Sequence, residues 1–136
     1  MHFIVTQGGE MFVYNDMWKL YEKHNDIYFQ VYTNGTLINK EVARRLSRLG
    51  NVASMISLEG FREQTDARRG KGVFDKVMQA MDNLREAGVL FGFSVTQTRE
   101  NTEVVTFFEF IDMPIEKGCY IGWYFQFLPI GKEISV

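Results

Sequence analysis

Four short clusters in the sequence carry groups able to hold or transform a small ligand. They are Gly8-Gly9-Glu10, Thr33-Asn34-Gly35, Ser57-Leu58-Glu59-Gly60 and Thr96-Gln97-Thr98. Glu10 and Glu59 supply carboxylates, which can accept an ammonium or exchange protons. Thr33, Asn34 and Ser57 supply short polar groups. Glycine beside them lets a ligand approach the backbone closely. Each cluster alone is ordinary turn chemistry; their order along the chain carries the information. Cys119 is the single cysteine, so a disulfide framework and an all-protein thiolate metal site are excluded. His2 and His24 are too few and too far apart for a metal site.

The clusters follow short apolar runs that alternate with helical patterns. Strands are predicted at His2 to Thr6, Tyr28 to Tyr32, Val52 to Ser57, Leu90 to Val95 and Tyr120 to Leu128. Helices are predicted between them. The first spans Asp16 to His24, with Asn15 or Asp16 as its cap. The second starts from Asn39 and ends at Gly50, with Val42, Leu46 and Leu49 at i, i+4, i+7. The third runs from Val73 to Ala87 and is closed by Gly88. A fourth is capped by Asn101 or Thr102 and exits at Pro114. Phe61 to Gly72 reads as a polar loop, and the aromatic run Trp123, Tyr124, Phe125 and Phe127 as mainly core.

This alternation implies an α/β fold of about five parallel strands, covered on both faces. A partial (β/α) barrel and an open doubly wound sheet both satisfy it. Either one binds ligands at the carboxyl ends of its strands, where the clusters fall. With 136 residues, 46% hydrophobic and 24% charged, the chain is expected to form one domain over residues 1–136. A net charge of −2 and a pI of about 5.7 provide no global basic field for nucleic acid. No apolar run is long enough to span a membrane. The start has no basic segment of the secretory kind. The expectation is therefore a soluble cytoplasmic domain with neither nucleic acid nor membrane as partner.

Taken together, Gly8-Gly9-Glu10-Met11, Thr33-Asn34-Gly35, Ser57-Leu58-Glu59-Gly60 and Asp66-Ala67-Arg68-Arg69-Gly70 resemble the radical SAM superfamily, nearest its members that mature peptides and cofactors. The resemblance implies a partial barrel of that type and S-adenosylmethionine and a [4Fe–4S] cluster as the parent family's cofactors. The parent reaction is reductive cleavage to a 5′-deoxyadenosyl radical. It further implies Gly8, Gly9 and Glu10 against the cofactor's ammonium, Ser57 and Arg69 against its carboxylate, the backbone at Leu128 facing the adenine, and Thr33 and Asn34 on the substrate side. Met11 stands where the family has Pro, and Glu59 where Asp is commoner. The family's Cys-x3-Cys-x2-Cys loop and first strand would precede Met1. With one thiol, the chain alone is expected to bind no cluster and to be inactive by itself.

Two other readings come from different classes. An exposed edge at the Phe3-Ile4-Val5 strand would make the chain a non-catalytic binding or interaction module, prone to self-association. Glu10 and Glu59 could instead form an acid–base pair of an unrelated barrel hydrolase.

Overall fold

The computed structural model describes residues 2–130. Its strands are β1 (His2–Thr6), β2 (Ile27–Thr33), β3 (Val52–Leu58), β4 (Phe91–Gln97) and β5 (Gly122–Gln126). They form one sheet in the order β1-β2-β3-β4-β5, and every neighbouring pair is parallel. A doubly wound sheet reverses its strand order at a switch point. This order never reverses, so the partial barrel is the fold. Right-handed crossovers in one direction put all the helices on one face.

Register separates the two faces. Phe29 pairs with Val52, Ile56 with Phe93 and Leu58 with Val95. These residues join Tyr21, Leu46, Val77, Met81, Leu84, Val105 and Phe110 from the helices in one buried core. Gln30, Tyr32, Ala53, Met55, Ser57, Gly92, Ser94, Thr96, Trp123 and Phe125 alternate with that set and face the other way. Tyr32 and Phe125 lie three strands apart, roughly 14 Å on a flat sheet. Their ring centroids are 5.7 Å apart, edge to face. The sheet is therefore curled, with this second face concave. Small residues on β3 and β4 leave room for the aromatic side chains of the flanking strands to meet across it.

The helices are α1 (Asn15–Lys23), α2 (Lys40–Leu49), α3 (Arg62–Arg69), α4 (Val73–Glu86), α5 (Thr102–Val105) and α6 (Phe108–Lys117), with a 3-10 turn at Met11–Val13. The Asn39 carboxamide accepts from the Val42 N–H at 2.8 Å, and Gly50 is left-handed at φ 70°, so both expected signals bound α2. Other expectations fail locally. Tyr14, not Asn15 or Asp16, precedes the first turn of α1. The expected loop from Phe61 to Gly72 contains α3. Its only buried residue is Thr65, so no apolar stripe announced it. The Gln64 side chain accepts from the Phe61 N–H at 3.0 Å and starts it.

The helix expected after Asn101 is broken into α5 and α6, and Pro114 lies inside α6 instead of at its exit. Gly118, left-handed at φ 104°, ends α6. The last strand is shorter than expected and exposed along its length. Trp123, Tyr124 and Phe125 are 43%, 38% and 41% exposed, so they are not core. The reason is position: β5 is an edge of the described sheet, as is β1. Burial on both faces therefore holds for β3 and fails at the edges.

Two measurements check this packing. A Cβ on Gly92 would sit 2.5 Å from the Ile121 carbonyl oxygen and 2.9 Å from Met55 Cε. Gly92→Ala should cost about 1–3 kcal/mol in urea unfolding, because backbone cannot yield as a side chain tip does. Cys119 packs against the core, and burial pushes its thiol up to about 12. A raised thiol pKa keeps the sulfur protonated at pH 8. Alkylation there should run at least about a hundredfold slower than in urea, where the thiol returns to about 8.5.

Candidate functional site

Because all five strands run the same way, their carboxyl ends share one rim. Side chains at that rim tie neighbouring loops together. After β1, the Glu10 carboxylate accepts from Thr33 Oγ1 at 2.7 Å and from the Asn34 N–H at 3.0 Å. Thr33 Oγ1 in turn accepts from the Gly35 N–H at 3.1 Å, and Asn34 Oδ1 accepts from the Thr36 N–H and hydroxyl. Gly35 sits at φ +78°, and a Cβ there would come within 2.9 Å of Ile56 Cγ2. Conformation and space both demand glycine in this turn. Glu10, Thr33 and Asn34 thus form one hydrogen-bonded group. Gly8 and Gly9, both left-handed at φ 93° and 58°, lie exposed beside it.

After β3, Glu59 is 2% exposed and its carboxylate is shared by two guanidiniums. Arg68 Nη1 reaches Oε2 at 2.8 Å, while Arg69 Nε and Nη2 reach Oε1 at 2.9 and 2.8 Å. A carboxylate this deep persists only when paired and hydrogen-bonded. The pairing fixes the last turn of α3 over the end of β3. Asp66, on the same helix, acts within the fold. Its carboxylate accepts from the Gly72 and Phe74 N–H groups and caps the start of α4.

After β4, the Asn101 side chain does not cap α5. Its Nδ2 donates to the carbonyls of Glu59 and Thr96, both at 3.0 Å, and its Oδ1 accepts from the Thr98 N–H at 2.7 Å. One buried amide therefore bridges the β3 and β4 loops. Between α3 and this turn opens a cleft of about 490 Å³, lined by Arg68, Glu63, Glu100, Thr98, Asn101 and Phe127, among others. Past β5, the Phe127 N–H donates to the Gln97 carbonyl, and Leu128 follows, 66% exposed.

On the concave face below the rim, Ser57 Oγ lies 3.5 Å from Ser94 Oγ. Tyr32 also faces this side; burial raises its phenol above the ordinary value, so it stays a proton donor at neutral pH. The residues expected to act together are thus distributed. Glu10, Thr33 and Asn34 are linked. Ser57 pairs with Ser94. Arg69 is turned onto Glu59. Glu10 and Glu59 are held by different partners, and no hydrogen bond joins them. Sequence reasoning passed over Glu63, named Arg68 only within the Asp66–Gly70 motif, took Asn101 for a helix cap, and had Thr98 only in a strand-end cluster. Among the described residues, no group of three or more His, Cys, Asp or Glu side chains is placed to hold a metal ion. None of their helices is long and apolar enough to cross a membrane.

The sequence profile of the Radical SAM superfamily matches residues 1–111. The chain is 40% identical over 100 residues to mycofactocin maturase MftC of Mycolicibacterium smegmatis, covering 71% of this chain and 26% of that protein. It is 35% identical over 101 residues to Fe-coproporphyrin III synthase of Methanosarcina barkeri, covering 72% of this chain and 25% of that protein. The chain therefore spans about a quarter of the length of these relatives. Its fold matches the crystal structure of Streptococcus suis SuiB bound to S-adenosylmethionine with a TM-score of 0.81 at 19% identity, over 98% of this chain and 32% of that one. With residues 1–111 matched by the family profile, the chain belongs to the radical SAM superfamily.

Proposed function

We propose that this chain is the S-adenosylmethionine-holding part of a radical SAM enzyme that matures a peptide or a cofactor. The observation that carries the reading is the state of Glu10. Its carboxylate is fixed by Thr33 and Asn34 yet uses only two of its roughly four acceptor positions. It stands beside the exposed Gly8 and Gly9, whose carbonyls add acceptors. That donor set suits an α-ammonium. Ser57 on the concave face and the guanidiniums of α3 offer donors to an α-carboxylate. In this reading the backbone at Leu128 is assigned to the adenine and Asn34 to the substrate side, while Thr33, buried against Glu10, positions that carboxylate.

The relatives' names, mycofactocin maturase and Fe-coproporphyrin III synthase, support a maturation chemistry without choosing between peptide and tetrapyrrole. The family's [4Fe–4S] cluster would supply reducing chemistry to the cofactor. The residues here do not fit that cluster: the sequence has one cysteine, and its partly buried thiol stays protonated. This chain's share of the work is positioning.

A second reading concerns the sheet edge. β1 pairs only with β2 among the described residues, and Phe3, Ile4 and Val5 are 55%, 41% and 48% exposed. An apolar edge with unpaired backbone groups recruits another strand. The chain is accordingly expected to self-associate through β1.

Calorimetry tests the first reading. S-adenosylmethionine should bind more tightly than 5′-methylthioadenosine, which lacks the amino-acid end, and Glu10→Ala should weaken the former about tenfold. Equal affinities in the wild type would sink it. Light scattering tests the second: mass should rise with concentration and fall back to monomer in Val5→Lys. A monomer at millimolar concentration overturns it.

A further inference from the structure

We infer that the concave face of the half-barrel takes an uncharged peptide segment with an aromatic side chain, and not a ligand bearing several carboxylates. The inference rests on the cofactor reading above and deepens it by naming the class of substrate. Register fixes what this face presents. Ser57 pairs with Ser94 and Ser94 with Trp123, so these three form one row across β3, β4 and β5. Thr96 and Phe125 form a row nearer the rim, and Tyr32, Met55 and Gly92 a row farther from it. On the β1 flank, Phe3 pairs with Tyr28, and their rings stack at 5.8 Å.

None of the five strands carries Asp, Glu, Lys or Arg. His2 alternates with Phe3 and so belongs to the other face. Central strands of a parallel sheet are ordinarily uncharged, but exposed edge strands ordinarily carry charge. Here β1 and β5 lack it as well. What the face exposes instead is aromatic: Trp123 and Phe125 on one flank and Phe3 on the other. Such rings pair with a further ring in offset or edge-to-face contact, as Tyr32 and Phe125 already do across the curl.

The polar groups between these flanks are neutral and incompletely used. Gln30 is 3% exposed, and its Nε2 donates to the Tyr32 hydroxyl at 3.1 Å. Among the described residues, Gln30 Oε1 accepts no hydrogen bond and the Tyr32 proton has no acceptor. Gln30 thus fixes the Tyr32 oxygen and leaves its proton for a ligand. The Ser57 and Ser94 hydroxyls, 3.5 Å apart, make only a long contact with each other. Neutral donors and acceptors of this kind match peptide N–H and C=O groups. A carboxylate brought onto the same face would lose hydration and meet no cation in return. Arg68 and Arg69 are at the rim, committed to Glu59.

Equilibrium dialysis of the purified chain with three probes decides the matter: acetyl-Gly-Tyr-Gly-amide, acetyl-Gly-Asp-Gly-amide and coproporphyrin III, a flat macrocycle with several carboxylates. The tyrosine peptide should bind at least about tenfold more tightly than either of the others. It should also shield Trp123 from acrylamide quenching, to which Trp18, 4% exposed, contributes little. Trp123→Leu should weaken the tyrosine peptide about fivefold, with the melting temperature close to wild type. Trp123→Arg, which adds a cation to the face, should shift the preference toward coproporphyrin III. If coproporphyrin III or the aspartate peptide binds the wild type more tightly, or if Trp123→Leu leaves the tyrosine peptide's affinity unchanged, the inference is overturned and the cofactor reading stands. Equal affinity for S-adenosylmethionine and 5′-methylthioadenosine removes the cofactor reading, and this inference with it.

Discussion

Parallel pairing in unbroken chain order is the constraint from which the rest of the molecule follows. Each strand must be followed by a return path to the opposite end of the sheet, and a right-handed return lies always on the same side. The helices therefore gather on one face, and all strand-to-helix turns gather on one rim. Nothing covers the other face from within β1–β5, so its side chains must be compatible with curling inward. Ala53, Ser57, Gly92 and Ser94 on the two inner strands are small, and Tyr32 and Phe125 close over them. Gly92 shows how tight this is, since even a methyl group would collide with the Ile121 carbonyl.

The rim is held by links between neighbouring turns, not by each turn alone. Glu10 joins the first loop to the second, Asn101 joins the fourth strand's loop to the third, and Glu59 joins β3 to the end of α3. All three are polar groups that reach across a loop boundary, and two of them are buried. Burial raises the cost of breaking such links, so they specify one arrangement of the rim more than they stabilise it. Asp66 extends the scheme by tying α3 to the start of α4.

This division explains what was legible in the sequence. Strands and apolar helices announce themselves through period and caps, as Asn39 and Gly50 do for α2. The Thr33-Asn34-Gly35 and Gly8-Gly9-Glu10 clusters fall where strand ends place them, and a hydrogen bond joins them. By contrast, α3 buries only Thr65 and owes its order to Glu59, a tertiary partner invisible to local periodicity. Asn101 has the residue type of a cap but spends its amide on the Glu59 carbonyl of the β3 turn and the Thr96 carbonyl at the end of β4. The aromatic run at Trp123 reads as core because aromatic residues usually are; its exposure depends on β5 being an edge, which is a property of topology alone. The curl itself is written only in the distribution of small residues across strands that periodicity treats one at a time.

A rim built this way sorts its polar groups into two populations. Those satisfied within the protein, such as Arg69 and the amide of Asn101, set the position of the backbone and have little left for a ligand. Others, such as the Glu10 carboxylate, held by Thr33 and the Asn34 N–H, and the Arg68 guanidinium, held at Nη1, are oriented but retain hydrogen-bonding capacity. An immobilised group with unused capacity loses little entropy when it takes a further partner. A residue's type and its place in a motif therefore do not by themselves identify its role. In this chain a single buried carboxylate takes two donors from Arg69 and one from its neighbour Arg68, so adjacent arginines on one helical turn are held to different extents.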